Sequence, residues 1–364
     1  MEKIDNLLVT SSPQIHQGDT TARIMWTVSA CLAPAGIWGV YVFGLRALVV
    51  IIVSLAAALA GEYLAARLNK TSTLADGSAF VTGLLVAYNM PPDVPLYVPL
   101  VASLFGIIVV KWCFGGLGCN WMNPALAGRV FVFFSWTGGM TTWRFPSTMN
   151  AADTVSGASP LGFLKTGLAD FQGTVSGAPE FLSASGYPVS GMDRAVSAWM
   201  GRTLGFAPGS GCVDLFVGNI PGCIGEVSAL LLLLGAVVLL VRKIITWEIP
   251  VAYLGTFGVL IWMFGGRAFG QGFFSGDVLF HLFSGGLMLG AFYMATDMVT
   301  SPLTRKGMLI FGAGCGFLTF LIRIYGSFPE GVSLAIIFMN ILVPMINRFT
   351  QPKRFGVTAK EPGK

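Results

Sequence analysis

Residues Ala47–Leu68 read ALVVIIVSLAAALAGEYLAARL. A bilayer hydrocarbon core of about 30 Å needs roughly 20 apolar residues of helix, and this stretch meets that length. On the same ruler, four more segments flank it, centred on Ile24–Gly44, Ser78–Met90, Leu96–Trp112 and Ala125–Trp136. A long polar interval follows, and beyond it come Ile224–Val241, Ile249–Phe264, Val278–Thr296, Met308–Ile322 and Val332–Ile346. The sequence predicts an all-α polytopic membrane protein with about ten transmembrane helices. Composition agrees. Of 364 residues only 11% are charged and 54% are hydrophobic, whereas soluble domains carry roughly 25% charged residues. So few charges cannot cover a water-facing surface of this size, which excludes an ordinary soluble protein, a disordered chain and a nucleic-acid binder.

The segment Ser78–Met90 is short and runs into Pro91-Pro92, which ends a helix because proline lacks an N–H and disfavours helix at the preceding residue. Broken spans persist in a bilayer only where protein or a water-lined cavity covers the open backbone. The first apolar segment is too long for a cleavable signal peptide.

Orientation follows from the cations. Threading ten spans from a cytoplasmic N-terminus assigns Arg67, Lys70, Arg242, Lys243, Arg305, Lys306, Arg348, Lys353 and Arg354 to the cytoplasm. The short outer loops receive only Arg46, Arg267 and Arg323, which is the positive-inside pattern. The resulting division is a cytoplasmic leader (1–23), a first transmembrane repeat (24–142), an outer loop (143–223), a second repeat (224–348) and a cytoplasmic basic tail (349–364). Gly83-Leu84-Leu85-Val86 before Pro91-Pro92 resembles Gly286-Leu287-Met288-Leu289 before Ser301-Pro302. Five spans in each half would invert the halves relative to each other, an architecture that holds sites near the bilayer midplane.

The outer interval breaks the hydrophobic pattern and is the first place to look for function. It contains Asp153-Thr154-Val155-Ser156-Gly157-Ala158-Ser159-Pro160. Gly157 and Ala158 leave the backbone open to close approach, and Ser159 reads as an accessible hydroxyl on a loop. The plain alternative is a Ser/Gly-rich turn.

Several ordered motifs point further. They are Ser12-Pro13 with His16, Asp76-Gly77-Ser78-Ala79, Gly115-Gly116-Leu117-Gly118-Cys119-Asn120, Asn123-Pro124-Ala125-Leu126-Ala127-Gly128-Arg129, Ile224-Gly225-Glu226, Ala295-Thr296-Asp297, and Pro329-Glu330-Gly331. Over nearly its whole length the chain resembles the RnfD/NqrB family of membrane proteins. RnfD belongs to the Rnf ion-translocating electron-transport complex, and NqrB to the sodium-pumping NADH:quinone oxidoreductase. The short leader is more similar to that of RnfD. The resemblance implies a fold like the urea and ammonium channels, in the bacterial cytoplasmic membrane. In that family an Asp-x-x-Ser/Thr-Gly-Ala-Thr motif is flavinylated by a transferase that moves FMN from FAD. Here the resemblance assigns Ser159 as the acceptor, in phosphodiester linkage, with Asp153, Ser156, Gly157 and Ala158 as the motif. Serine in place of threonine keeps the hydroxyl nucleophile. The resemblance further implies a noncovalent riboflavin, coupling of ferredoxin and NAD, and partner subunits including a second covalent-FMN subunit and iron–sulfur subunits.

Ionisable groups inside spans are functional candidates. Glu226, Asp297, Glu330 and Asp76 are candidates for an ion path, against the alternative that helix ends stabilise carboxylates. Lys111 and Arg129 flank the Gly/Asn element. Gly115, Gly116 and Asn123 are candidates for backbone approach to a flavin. No metal site is expected, because the chain has only two histidines and a site needs several ligands. Cys212 and Cys223 could pair in an oxidising compartment. The competing readings are a quinone-reducing subunit and a solute channel of similar fold, which fold alone cannot separate.

Overall fold

Thr20 opens α1 (Thr21–Phe43), its hydroxyl accepting the Arg23 N–H at 3.2 Å, the usual way a helix start satisfies its free donors. Gly44, at φ +80°, then turns the chain directly into α2 (Leu45–Leu68). These are the first described residues of a computed structural model that covers residues 20–70, 73–146, 156–168, 175–205, 209–328 and 330–351. The first half continues with α3 (Ser78–Tyr88), α4 (Tyr97–Leu104) extended by π-helical turns over Phe105–Trp112, α5 (Pro124–Ser135) and the single turn α6 (Thr137–Met140). The polar interval between the halves carries β1 (Trp143–Arg144), β2 (Ser156–Gly157), α7 (Pro160–Gly167), α8 (Ala178–Ala184), α9 (Gly191–Leu204) and α10 (Cys212–Val217). The second half holds α11 (Ala229–Val241), α12 (Glu248–Phe264), α13 (Val278–Phe283), α14 (Leu287–Leu289) running into a π turn over Gly290–Met294, α15 (Arg305–Tyr325) and α16 (Val332–Thr350).

Among the described residues, five helices are long and apolar enough to cross a membrane: α1, α2, α12 with its 3-10 extension to Phe269, α15 and α16. Four shorter apolar helices join them, among them α3. The segment expected over Val278–Thr296 is interrupted. Helix α13 ends at Ser284, Gly285 takes φ +66°, and the chain re-enters helix at Leu287. Arg323 of α15 covers this break by donating to the carbonyls of His281 (2.5 Å) and Ser284 (3.2 Å). Arg323 was expected in an outer loop but is 4% exposed inside the fold. A cation that satisfies freed carbonyls is what a broken helix in lipid requires.

The short α3 is shielded by the same logic. Every residue from Val81 to Met90 is buried. Ser54 of α2 donates to the Gly83 carbonyl (2.9 Å), and Tyr88 donates to the Leu32 carbonyl of α1 (2.8 Å). The carbonyls that α3 leaves open at its C-terminus are taken by the second half of the chain, with Gly225 N bonding Tyr88 O (3.0 Å) and Ile224 N bonding Met90 O (3.1 Å).

The polar interval is not a plain loop. Its described parts form β1 paired antiparallel with β2 and four short helices around a separate apolar core of Leu161, Leu164, Phe181, Leu182, Leu215 and Ile220, into which Phe280 of α13 inserts. These apolar residues are scattered among Ser, Gly and Pro, so no single window of the sequence shows a helical face. Cys212 and Cys223 are both free thiols, so they do not pair here.

A Cβ placed on Gly225 would overlap the Tyr88 ring, whereas one on Gly222 would meet nothing within 4 Å. Overpacking of a close-packed interior costs about 1–3 kcal/mol. Gly225→Ala is therefore expected to lower the thermal unfolding midpoint of the detergent-solubilised protein clearly, and Gly222→Ala to leave it unchanged.

Candidate functional site

Ser159 and Pro160 together start α7. Proline suits the first helical position, where no N–H is needed, and Ser159 is the N-cap, its Oγ accepting the Gly162 N–H at 3.2 Å. The hydroxyl expected to be accessible on a loop is instead 4% exposed. Of the motif, Gly157 lies in β2 with the Phe145 ring where its Cβ would sit, and the Ala158 carbonyl accepts the Tyr187 hydroxyl (3.1 Å). Ser156 pairs with Arg144 through the backbone. Asp153 lies outside the described residues, as do Ser12-Pro13, His16, Lys353 and Arg354. Helix α7 is pinned to the membrane body by Lys165, whose Nζ donates to the carbonyls of Arg323 and Phe328, both at 3.0 Å, at the end of α15. Burial, with Arg323 nearby, pulls the Lys165 pKa below the ordinary lysine value.

Beneath Ser159 lies a buried ionic cluster. Arg129, in the second turn of α5, donates through one nitrogen to Asn89 Oδ1 (2.7 Å), Ser333 Oγ (2.8 Å) and Glu226 Oε1 (3.2 Å). Its other nitrogen donates to Glu330 Oε2 (2.6 Å) and approaches Cys223 Sγ (3.8 Å). Ser159, Glu226, Glu330 and Gly285 line one small cavity with room for about one water molecule. Ligand atoms of Cys223, Glu226 and Glu330 lie within 4.8 Å of one another, a spacing a metal ion could use, but the Arg129 guanidinium reaches all three.

A larger, partly open cavity, about 100 Å³ where the small one has about 10 Å³, lies at the other ends of α3 and α5. Its walls are mostly apolar, among them Val28, Leu85, Leu239, Phe292 and Tyr293, with Lys111, Asn120, Asn123, Thr82 and Asp297 as polar points. Asn120 Oδ1 is buried there without a partner. Lys111 is fixed by Glu62 (2.9 Å) and Ser78 Oγ (2.7 Å), and the second oxygen of Glu62 accepts the Trp112 indole N–H (2.8 Å). Helix α3 runs from Ser78 at this cavity to Asn89 at the Arg129 cluster. Ser78 and Asn89 lie about 16 Å apart along α3 at about 1.5 Å of rise per residue, while Leu85, also in the cavity wall, is about one turn from Asn89.

The four acids proposed from sequence therefore divide. Glu226 and Glu330 meet under Ser159. Asp297 borders the large cavity, bonded by Thr300 Oγ1 (3.0 Å). Asp76 accepts Ser78 N and Oγ (2.8 and 2.6 Å) and so serves the start of α3. The Asn123 amide is consumed as the cap of α5 and by Met294 O (3.2 Å). Gly115 and Gly116 adopt φ +115° and +91°, which side chains rarely tolerate, in a turn beside the cavity rather than in its wall. Sequence reasoning missed Glu62, which is fully buried. An acid inside the apolar run Ala47–Leu68 was the available signal. It also missed Asn89 and Ser333, uncharged partners with no motif to mark them.

Residues 8–356 match the NQR2, RnfD, RnfE family, and the chain belongs to it. Among curated relatives, it is 42% identical to the D subunit of the proton-translocating ferredoxin:NAD(+) oxidoreductase complex of Clostridium ljungdahlii, over 96% of each chain. It is 40% identical to the D subunit of the Na(+)-translocating ferredoxin:NAD(+) oxidoreductase complex of Acetobacterium woodii, over 97% of this chain and 96% of that one. It is 38% identical to the D subunit of the ion-translocating oxidoreductase complex of Stutzerimonas stutzeri, over 93% of each.

Removing one partner of a buried ion cluster strands the others and costs about 3–5 kcal/mol. Arg129→Met is expected to destabilise the solubilised protein by that order in thermal or denaturant unfolding. Adding Glu226→Gln to Arg129→Met should recover part of the loss, because a neutral amide needs no counter-charge.

Proposed function

We propose that this member of the family is the membrane flavoprotein subunit of an ion-translocating oxidoreductase complex, not catalytic alone, that passes electrons between ferredoxin and NAD branches. The observation that carries the reading is the placement of Ser159. Its hydroxyl caps an eight-residue helix, next to a buried cluster of charges. A phosphoryl group on that oxygen would lie at the positive end of α7, where backbone N–H groups favour anions. The N–H groups at the start of α7 would favour the phosphoryl group, whereas Glu226 and Glu330 and the space for about one water molecule oppose its lying on the inner side of Ser159. Tethered there, a flavin supplies one- and two-electron chemistry. Ser159 provides the bond and the Gly162 N–H a donor, while Lys165 holds the helix still. The small cavity has no room for a flavin ring.

The large cavity is proposed to take a noncovalent flavin of the riboflavin kind. Its apolar walls with a few convergent polar groups suit a planar heteroaromatic ligand, and the unpartnered Asn120 Oδ1 offers an acceptor to a ring N–H. Two polar stations joined by α3 support relay of electrons through the protein. The proposed setting is the bacterial cytoplasmic membrane, with ten spans in two inverted halves, both termini cytoplasmic and the cap bearing Ser159 outside, where a flavin transferase would modify it. The Clostridium and Acetobacterium relatives differ in the ion they are named for, so identity near 40% does not choose between proton and sodium. Glu226 and Glu330, brought together beside Ser159, are the favoured ion-path acids.

Co-expression with a flavin transferase should give a denatured band that fluoresces as a flavin. Ser159→Ala should be dark and Ser159→Thr should stay bright. A dark wild-type band, or a bright Ser159→Ala band, would refute the attachment site.

A further inference from the structure

Helix α16 carries Ser333, Asn340 and Asn347 at seven-residue spacing, so they lie about two turns apart along one face. Each takes a partner from outside α16. Ser333 Oγ accepts from Arg129 (2.8 Å), and Asn347 Oδ1 accepts the Leu303 N–H (3.1 Å). Asn340, between them, is 2% exposed. Its amide meets a carbonyl on one side and a backbone N–H on the other, which fixes its orientation. Nδ2 donates to the Thr300 carbonyl (3.3 Å) and Oδ1 accepts the Asn123 N–H (3.2 Å).

Those two backbone groups belong to two walls of the large cavity. Asn123 follows Asn120 in the segment that leads into α5, and Thr300 follows Asp297 in the segment that leads to α15. Asn120, Asn123, Thr296 and Asp297 all line the cavity, and Asn340 does not. Thr300 Oγ1 donates to Asp297 Oδ2 (3.0 Å), and Asn123 Nδ2 reaches across to the Met294 carbonyl (3.2 Å). Neither wall is helical at these residues, so no regular ladder sets their separation. Asn340 sits in an apolar stretch of α16, between Met339 and Ile341. A buried amide in such a place is costly unless both of its ends are bonded, and here both ends bond the cavity walls.

We propose that Asn340 is a positioning residue for the ligand of the large cavity. By tying Asn123 to Thr300, it sets the unpartnered Asn120 Oδ1 against the wall that carries Asp297, and so aligns the acceptor that selects a ligand bearing a ring N–H. This rests on the flavin reading of that cavity. Asn340 touches no ligand. It acts through Asn120, three residues before Asn123. Hydrogen bonds of about 3 Å weaken steeply with misalignment, so a small shift of the wall spoils this one. A site with an aligned buried acceptor rejects a ligand that lacks the donor, whereas apolar packing discriminates weakly. Loss of the tie therefore removes selectivity and leaves the contacts with Val28, Leu85 and Phe292.

The test measures binding of riboflavin and of its N3-methyl analogue, which lacks the ring N–H. The protein is the solubilised full chain, produced without flavin transferase and freed of unbound flavin. Wild type should bind riboflavin more tightly than the analogue by about tenfold or more. Asn340→Leu should lose about tenfold in riboflavin affinity and change the analogue by less than about twofold, so that the ratio approaches one. Tyr253→Phe removes another buried bond, to Thr319 Oγ1 (2.7 Å), away from the cavity wall. It should lower the unfolding midpoint and keep the ratio. Asn120→Ala should lose the ratio, and adding Asn340→Leu to it should alter riboflavin affinity by less than about twofold. If Asn340→Leu does not elute as a single folded species, Asn340→Ser is read in its place with the same expected loss. A wild type that binds neither compound refutes the flavin reading and, with it, this proposal. A wild type that binds both equally overturns the proposal and leaves the flavin reading standing. In a selective wild type, an unchanged ratio in the Asn340 variant, an equal loss in Tyr253→Phe, or additive losses in the double variant would each overturn it.

Discussion

A guanidinium buried among apolar helices must have partners, and Arg129 finds them on four separate stretches of chain: the end of α3, the segment before α11, the segment before α16, and α16 itself. An isolated charge in such a place would be prohibitive, so these stretches are held wherever Arg129 is held. The broken helices depend on the same constraint. The chain leaves carbonyls open at the end of α3 and at Ser284, and closes them with the backbone of Ile224 and Gly225 and with Arg323. Irregular backbone at membrane depth is stable only under such cover. The cover, in this protein, is also the wall of the site.

Two polar stations result, joined by α3 and α5. Helix α3 carries Ser78 at the large cavity and Asn89 at the Arg129 cluster, while α5 carries Asn123 and Arg129 in the same order. Each station is built round a buried cation fixed by a carboxylate, Lys111 by Glu62 and Arg129 by Glu226 and Glu330.

Much of the fold was legible because long apolar runs such as Ala47–Leu68 have few other fates. The short α3 was legible as an interruption, since Pro91-Pro92 forbids helix. The break at Ser284–Gly286 was not, because its surrounding residues are as apolar as those of an intact span and only Gly285 marks the turn. The capped start of α7 was present in Ser159-Pro160, a residue pair that opens helices, yet the polar surroundings favoured a loop. The site was legible in its members but not in its assembly. Arg129 is 97 residues from Glu226 and 201 from Glu330, and pairing across such separations depends on tertiary packing. Glu62 was hidden in plain view within an apolar run whose length had already decided its meaning.

The central claim is that Ser159 holds a flavin by a phosphodiester bond beside the Arg129 cluster. Peptide mass spectrometry on the chain purified from its native membrane tests this most directly. The account predicts that the peptide containing Ser159 carries the mass of FMN less one water, with fragmentation locating it on Ser159. An unmodified Ser159 peptide recovered in full from an active complex would contradict it.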